Sequence, residues 1–154
     1  MKEHNYENDN QYRDFVINTI LTAVTSIDIF KGRYDRFDLK YLPKNGNKER
    51  FMEIKHRNFN HNKYSDTIIE LDKYQAITAS TKYVADTDLL ILFEDGYIVY
   101  TPNRLNKCYL GEEIKYCPDQ YDGENDKWCE KNKVVVKIKI EEKYFQPYDK
   151  IRSN

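Results

Sequence analysis

The sequence predicts an α/β fold in which a central mixed β-sheet is flanked by helices, within a single domain spanning residues 1–154. Three patterns predict it. Arg50-Phe51-Met52-Glu53-Ile54-Lys55-His56-Arg57 alternates apolar and charged residues, the period of a half-buried strand. Leu89-Leu90-Ile91-Leu92-Phe93 is a continuous apolar run, which suits a strand covered on both faces. Segments with the apolar spacing of a helix lie before the first run and between the two, and would supply the covering layers.

Composition narrows the class. A chain of 154 residues is long enough to bury a core, and 40% hydrophobic content with 14 Tyr and 7 Phe argues for a folded chain despite 33% charged residues. The net charge of −1 neither demands nor forbids a nucleic-acid partner, so local basic clusters would have to carry any phosphate affinity. No apolar run has the length of a membrane span, and Met1-Lys2-Glu3-His4-Asn5 lacks the apolar stretch of a signal peptide. Three cysteines are too few for a secreted disulfide scaffold, so the cytoplasm is the expected compartment.

Taken in order, residues 10–25 place Tyr12, Phe15, Val16, Ile20, Ala23 and Val24 at helical spacing. Residues 27–30 read as a short strand. From 34 to 42, Phe37, Leu39 and Tyr41 alternate with Arg36, Asp38 and Lys40, so a second strand is expected, closed by a turn at Asn45-Gly46. The Glu53 strand follows, then an Asn/His-rich loop over 58–65. A helix is expected from Ser65, Asp66 or Thr67 to about Tyr83, with Thr67 and Glu70 at capping-box spacing. The apolar strand near 88–94 turns at Asp95-Gly96 into Tyr97–Tyr100. Residues 102–132 read as an irregular insertion or long loop, and 133–141 as an additional, edge-like strand with Lys137 and Lys139 on its polar face. The core would span about 10–100.

Glu53 and Lys55 share one face of their strand, with Met52 and Ile54 on the other. A carboxylate can hold a hard cation while a lysine beside it positions water, provided a second carboxylate is near. Asp38 meets that need by parity. It shares a face with Arg36 and Lys40, opposite Phe37, Leu39 and Tyr41, whereas Asp35 would fall on the apolar face. Antiparallel pairing through the Asn-Gly turn would then bring Asp38 beside Glu53.

Asp38, then Glu53-Ile54-Lys55, then a helix carrying Lys73, resembles the PD-(D/E)XK nuclease superfamily over roughly residues 10–100. The resemblance implies a restriction-endonuclease-like αβββαβ core with C-terminal extra strands, and divalent-metal-dependent hydrolysis of phosphodiesters in DNA or RNA. Mg²⁺ is the implied cofactor, with Mn²⁺ as substitute. Asp38, Glu53 and the Ile54 carbonyl would be metal ligands, Lys55 would position or activate water, and Lys73 would be the basic residue of the second helix. No proline precedes Asp38, and a first-helix carboxylate would have to be Glu7 or Asp14. The implied partners are nucleic acid, DNA ahead of RNA, and a second copy in a homodimer. Arg36, Arg57 and Lys63 are the phosphate-contact candidates.

Other chemistries fit less well. His56, Asn60 and His61 are too crowded for a ββα-metal nuclease, and parity puts His56 on the Met52/Ile54 face. Cys108, Cys117 and Cys129 lack zinc-ligand spacing and read as ordinary thiols. From a different class, a catalytically inactive nuclease-fold protein that binds nucleic acid or a protein partner would carry the same strands.

Overall fold

The alternating and apolar runs build two sheets. A computed structural model describes residues 24–29, 38–43, 48–83, 87–122 and 127–148. The expected helix over 10–23, the 44–47 turn, Glu7, Asp14, Asp35 and Arg36 lie outside the described residues.

Strands β1 (Val24–Ile29), β2 (Leu39–Pro43) and β3 (Arg50–His56) pair antiparallel in chain order. Val24 and Thr25, expected to end a helix, already belong to β1; the segment VTSIDI alternates β-branched and polar residues, which favours extended backbone. Strand β4 (Asp66–Glu70) then precedes helix α1 (Leu71–Tyr83). The chain over 66–70, expected as the helix's first turn, is therefore a strand. Thr67 and Ile69 are buried and alternate with Asp66, Ile68 and Glu70, and the segment gains a ladder of pairs from Asp66↔Lys139 to Glu70↔Val135. That period-2 burial overrides the helix-start spacing.

After α1, β5 (Thr87–Leu92) lies parallel to β3, from Phe51↔Thr87 to His56↔Leu92. Every residue of β5 is buried, as its unbroken apolar run requires. β6 (Gly96–Tyr100) returns antiparallel to β5 through a turn closed by the Phe93 N–H to the Gly96 carbonyl at 2.8 Å.

The 102–132 stretch is not an irregular loop. Pro102–Cys108 forms helix α2, with Thr101 as N-cap accepting from the Arg104 N–H and Pro102 in its first turn. β7 (Tyr109–Asp122) and β8 (Lys127–Lys139) then form a long antiparallel hairpin. β8 is not an edge: it lies between β4 and β7. Gly111 adopts φ 131°, a conformation that favours glycine, where the β7–β8 register shifts. A short 3₁₀ turn (Glu142–Tyr144) leads to β9 (Gln146–Pro147), which completes the order β1-β2-β3-β5-β6-β9 by pairing with β6. A Cβ on Gly96 would run into the Gln146 carbonyl and the Phe145 ring, so only glycine lets β9 approach.

The core lies between the β3-β5-β6 face and the layer formed by α1, α2 and the β4-β8 sheet. Leu89, Ile91, Ile98 and Tyr100 meet Ile69, Ile77, Leu105, Val136 and Ile138 there. Among the described residues, no helix is long and apolar enough to cross a membrane.

Candidate active site

Pairing Leu39 with Met52 fixes which faces agree. Leu39, Tyr41 and Met52 take one face, so Asp38, Glu53 and Lys55 fall on the other, the face toward α1. The regular β2–β3 ladder ends at Leu39, yet Asp38 extends it by one bond, its N–H donating to the Met52 carbonyl at 3.0 Å. Its carboxylate Oδ2 then accepts the Ile54 N–H at 2.8 Å. In a strand, the N–H and C=O of one residue project toward the same edge, so the Ile54 carbonyl is directed to the side where Asp38 lies.

Glu53 is the buried centre of the group. It is 6% exposed, with Lys55 Nζ 3.6 Å from one carboxylate oxygen and Lys73 Nζ 3.5 Å from the other. Lys73 stands in the first turn of α1. A surface pairing with Glu70 would be the ordinary role for such a lysine, but Glu70 pairs with Lys133 at 3.1 Å, and Lys73 reaches Glu53 instead. The displaced start of α1 creates this geometry, because a helix beginning at Thr67 would hold Lys73 a turn further along. Burial, then the Asp38 charge, raises the Glu53 pKa from its ordinary 4.5 to about 7, against the opposing pull of Lys55 and Lys73.

These residues fit a hard divalent cation. The donors are all oxygen: two carboxylates and a main-chain carbonyl directed to one locus. Burial raises the Glu53 pKa most, and the Asp38 charge that adds to it is one a cation between the two carboxylates would offset. Two carboxylates and two ammonium groups also leave the locus near neutrality, so a cation and an anionic phosphate could enter together without a large net charge.

The remaining candidates separate. Arg57 is already engaged within the fold. Its guanidinium donates to the Thr67 hydroxyl (3.0 Å), the His56 carbonyl (3.1 Å) and the Ile68 carbonyl (2.6 Å), tying β3 to β4 across the 58–65 loop. Burial lowers its pKa, and three of its five N–H donors are taken up by these neutral acceptors. Lys63 is exposed on the same loop, over the Tyr64 ring at 5.5 Å. Cys108 is a buried free thiol, and no group of three His, Cys, Asp or Glu among the described residues could hold a metal.

Two clusters carried no motif. On the opposite sheet face, buried Asp88 accepts from Arg50 through both oxygens (2.6 and 3.1 Å) and from the Tyr41 hydroxyl at 2.6 Å. An aspartate leading an apolar strand gives no sequence signal of such a partner. On the 58–65 loop, His61 sits between Asp95 and Glu142, 2.6 Å from each, with its ring stacked on Phe145 at 3.5 Å. Burial alone would lower the His61 pKa, but the two carboxylate bonds outweigh it and hold it above 6.5.

A histidine whose folded pKa is raised contributes stability that is complete below its ordinary pKa and fades as pH rises through the folded one. The melting temperature of the metal-free protein is therefore expected to fall as pH rises from 6.5 through the raised His61 pKa. Ionisation of Glu53 adds to the fall up to about pH 7, so His61→Gln should make that part of a melting-temperature profile shallower, and an unchanged profile would rule the clamp out as a contributor.

No family model matches the chain, and no curated protein matches it. Among solved structures, a 1.6 Å structure of Hjc, a Holliday junction resolvase from Archaeoglobus fulgidus, is similar with a TM-score of 0.52. The match covers 96% of this chain and 97% of that one at 10% identity, which supports a shared fold. Three antiparallel strands, helix α1 delivering Lys73 and the parallel strand β5 are the elements expected of a restriction-endonuclease-like core, and this chain has that fold.

Proposed function

We propose that this chain is a DNA nuclease that hydrolyses phosphodiester bonds with a divalent cation, Mg²⁺ or, in its place, Mn²⁺. The observation that carries the reading is the convergence of Asp38, Lys55 and Lys73 on buried Glu53. DNA is preferred to RNA because the similar solved structure is that of a Holliday junction resolvase.

Asp38, Glu53 and the Ile54 carbonyl would hold the cation. When bound it would supply charge neutralisation at the phosphate and a more acidic water. The chain's own groups do the rest. Asp38 is held by its bond from the Ile54 N–H, which limits the search through rotamers before it meets a cation. Glu53 serves as a ligand only when ionised, so its proton must leave near pH 7. Lys55 is more exposed than Glu53 and carries three donors, enough to orient the attacking water and bond a phosphate oxygen together. Lys73 offsets the Glu53 charge in the resting site and turns toward the phosphate when substrate brings its own charge. Lys63, beside exposed Tyr64, would contact the nucleic-acid backbone or a stacked base.

One observation favours a second reading, a nuclease-fold protein that binds without cutting. Both Glu53 oxygens already have lysine partners, and the carboxylate is half neutral near pH 7. Purified protein incubated with Mg²⁺ or Mn²⁺ and four-way, duplex and single-stranded DNA, or with RNA, separates the two. Metal-dependent cleavage of DNA that disappears in Lys55→Ala supports the nuclease. Tight binding without cleavage supports the second reading, cleavage of RNA alone overturns the DNA preference, and neither binding nor cleavage overturns both.

A further inference from the structure

We propose that two copies of this chain pair edge to edge through β7, antiparallel about Ile114, to join their hairpin sheets. Among the described residues, six large hydrophobic side chains are markedly exposed, and all but Tyr64 lie on the β7–β8 hairpin: Tyr109, Leu110, Ile114, Tyr116 and Val134. Ile114 is 75% exposed and Tyr116 56%. Isolated exposed apolar residues need no explanation, but a cluster on one element marks a contact surface.

The hairpin's construction indicates what covers it. β4 supports β8 only from Val135 to Lys139, while β7 and β8 continue pairing to Asp122↔Lys127. Beyond that support the hairpin is two-stranded among the described residues, and two-stranded ribbons are marginal in water. Among the described residues β7 is the edge of its sheet, so its outer side is where a further strand would add.

The β7 sequence is self-complementary about Ile114. A twofold axis there sets Ile114 against its own copy, Glu113 against Lys115 of the partner, and Lys115 against the partner's Glu113. Glu113 and Lys115 are exposed and share the face opposite Ile114. On the Ile114 face, Ile114 opposes Val134 across the hairpin. The dimer would therefore carry a stripe of Val134, Ile114 and their two copies across four adjacent strands, flanked by Tyr116. On one face Ile114 meets its copy, with Glu112 set against the partner's Tyr116 to either side, and opposite charges pair on the other.

The test is the mass of the full chain in solution, by sedimentation or light scattering across a concentration series, with circular dichroism confirming the fold of each variant. The expected result is a dimer whose dissociation constant weakens by about tenfold or more in Glu113→Lys and in Lys115→Glu, since each places like charges opposite each other twice. The double variant Glu113→Lys/Lys115→Glu should return to wild-type affinity, and Ile114→Lys should be monomeric. A monomeric wild type overturns the proposal. So does a dimer indifferent to both single swaps, or a folded double variant that stays monomeric.

Discussion

Replacing Glu53 by Gln is expected to cut DNA cleavage steeply while making the metal-free protein more stable above pH 7. The two halves have one cause. Glu53 is buried, and its pKa is raised to about 7, so its ionised form is disfavoured in the folded state. A carboxyl whose folded pKa lies above its unfolded value contributes stability that is full below pH 4.5 and disappears as pH rises through about 7. Holding Glu53 ionised at pH 8 therefore costs about 3 kcal/mol by the linkage relation. Gln removes that cost, and Lys55 and Lys73, which are partly exposed, can turn to water. Activity should fall by about 10²–10⁴-fold, the range for losing one participating group. Urea unfolding at pH 5.5 and pH 8, beside a cleavage assay, reads both halves. A structural ion pair would give the opposite: lower stability at pH 8 and unchanged turnover.

Arg50→Met carries the largest expected loss of stability. Asp88 is 3% exposed, and its charge is compensated by both nitrogens of the Arg50 fork and by the Tyr41 hydroxyl. The hydrogen bond to Asp88 pushes the Arg50 pKa up, and burial followed by the Asp88 charge does the same to Tyr41. Removing the guanidinium leaves a buried carboxylate with one neutral donor, at a cost of about 3 kcal/mol. For a domain of this size the melting temperature should drop by about 10 °C. Arg50→Met/Asp88→Leu should recover much of the loss, because an apolar pair leaves no orphaned charge. Arg50 and Asp88 lie on the sheet face opposite Glu53, so cleavage below the melting transition should stay near wild type. A melting temperature within 2 °C of wild type, taking about 3 °C per kcal/mol as the scale, would contradict the account of this cluster.

The parts of the fold that were legible in the sequence are those decided by local period. β3 alternates along its own length, β5 is apolar throughout, and the Asp95-Gly96 turn marks β6; none of these needs a distant partner to be read. β4 needed one. Thr67 and Glu70 imitate a helix start, and only the ladder to β8, far along the chain, makes the segment a strand. β7 and β8 were illegible over 102–132 for a related reason. Most of β7's side chains from Glu112 to Tyr116 meet water on both faces, so no burial period is written into them. β8 resembles an edge because Lys137 and Lys139 alternate with apolar residues, yet β4 and β7 flank it.

The same division runs through the candidate site. Parity alone put Asp38, Glu53 and Lys55 on one face, because strand alternation is a rule of geometry. The contact from Lys73 to Glu53 depended on where α1 begins, which β4 sets. Arg57 stands just past a strand end, where an arginine is usually solvated, and nothing local announces the three acceptors around it. Asp88 and His61 gave no warning for the same reason: their partners Arg50, Tyr41, Asp95 and Glu142 are brought in by the fold.

The central claim is that Asp38 and Glu53 share one divalent cation. Anomalous diffraction from crystals equilibrated with Mn²⁺ tests it directly. The account predicts a manganese peak bound by carboxylate oxygens of both Asp38 and Glu53 in the wild type, absent in Glu53→Gln. A Mn²⁺-saturated crystal with no peak between those two carboxylates, or with an unchanged peak in Glu53→Gln, would contradict it.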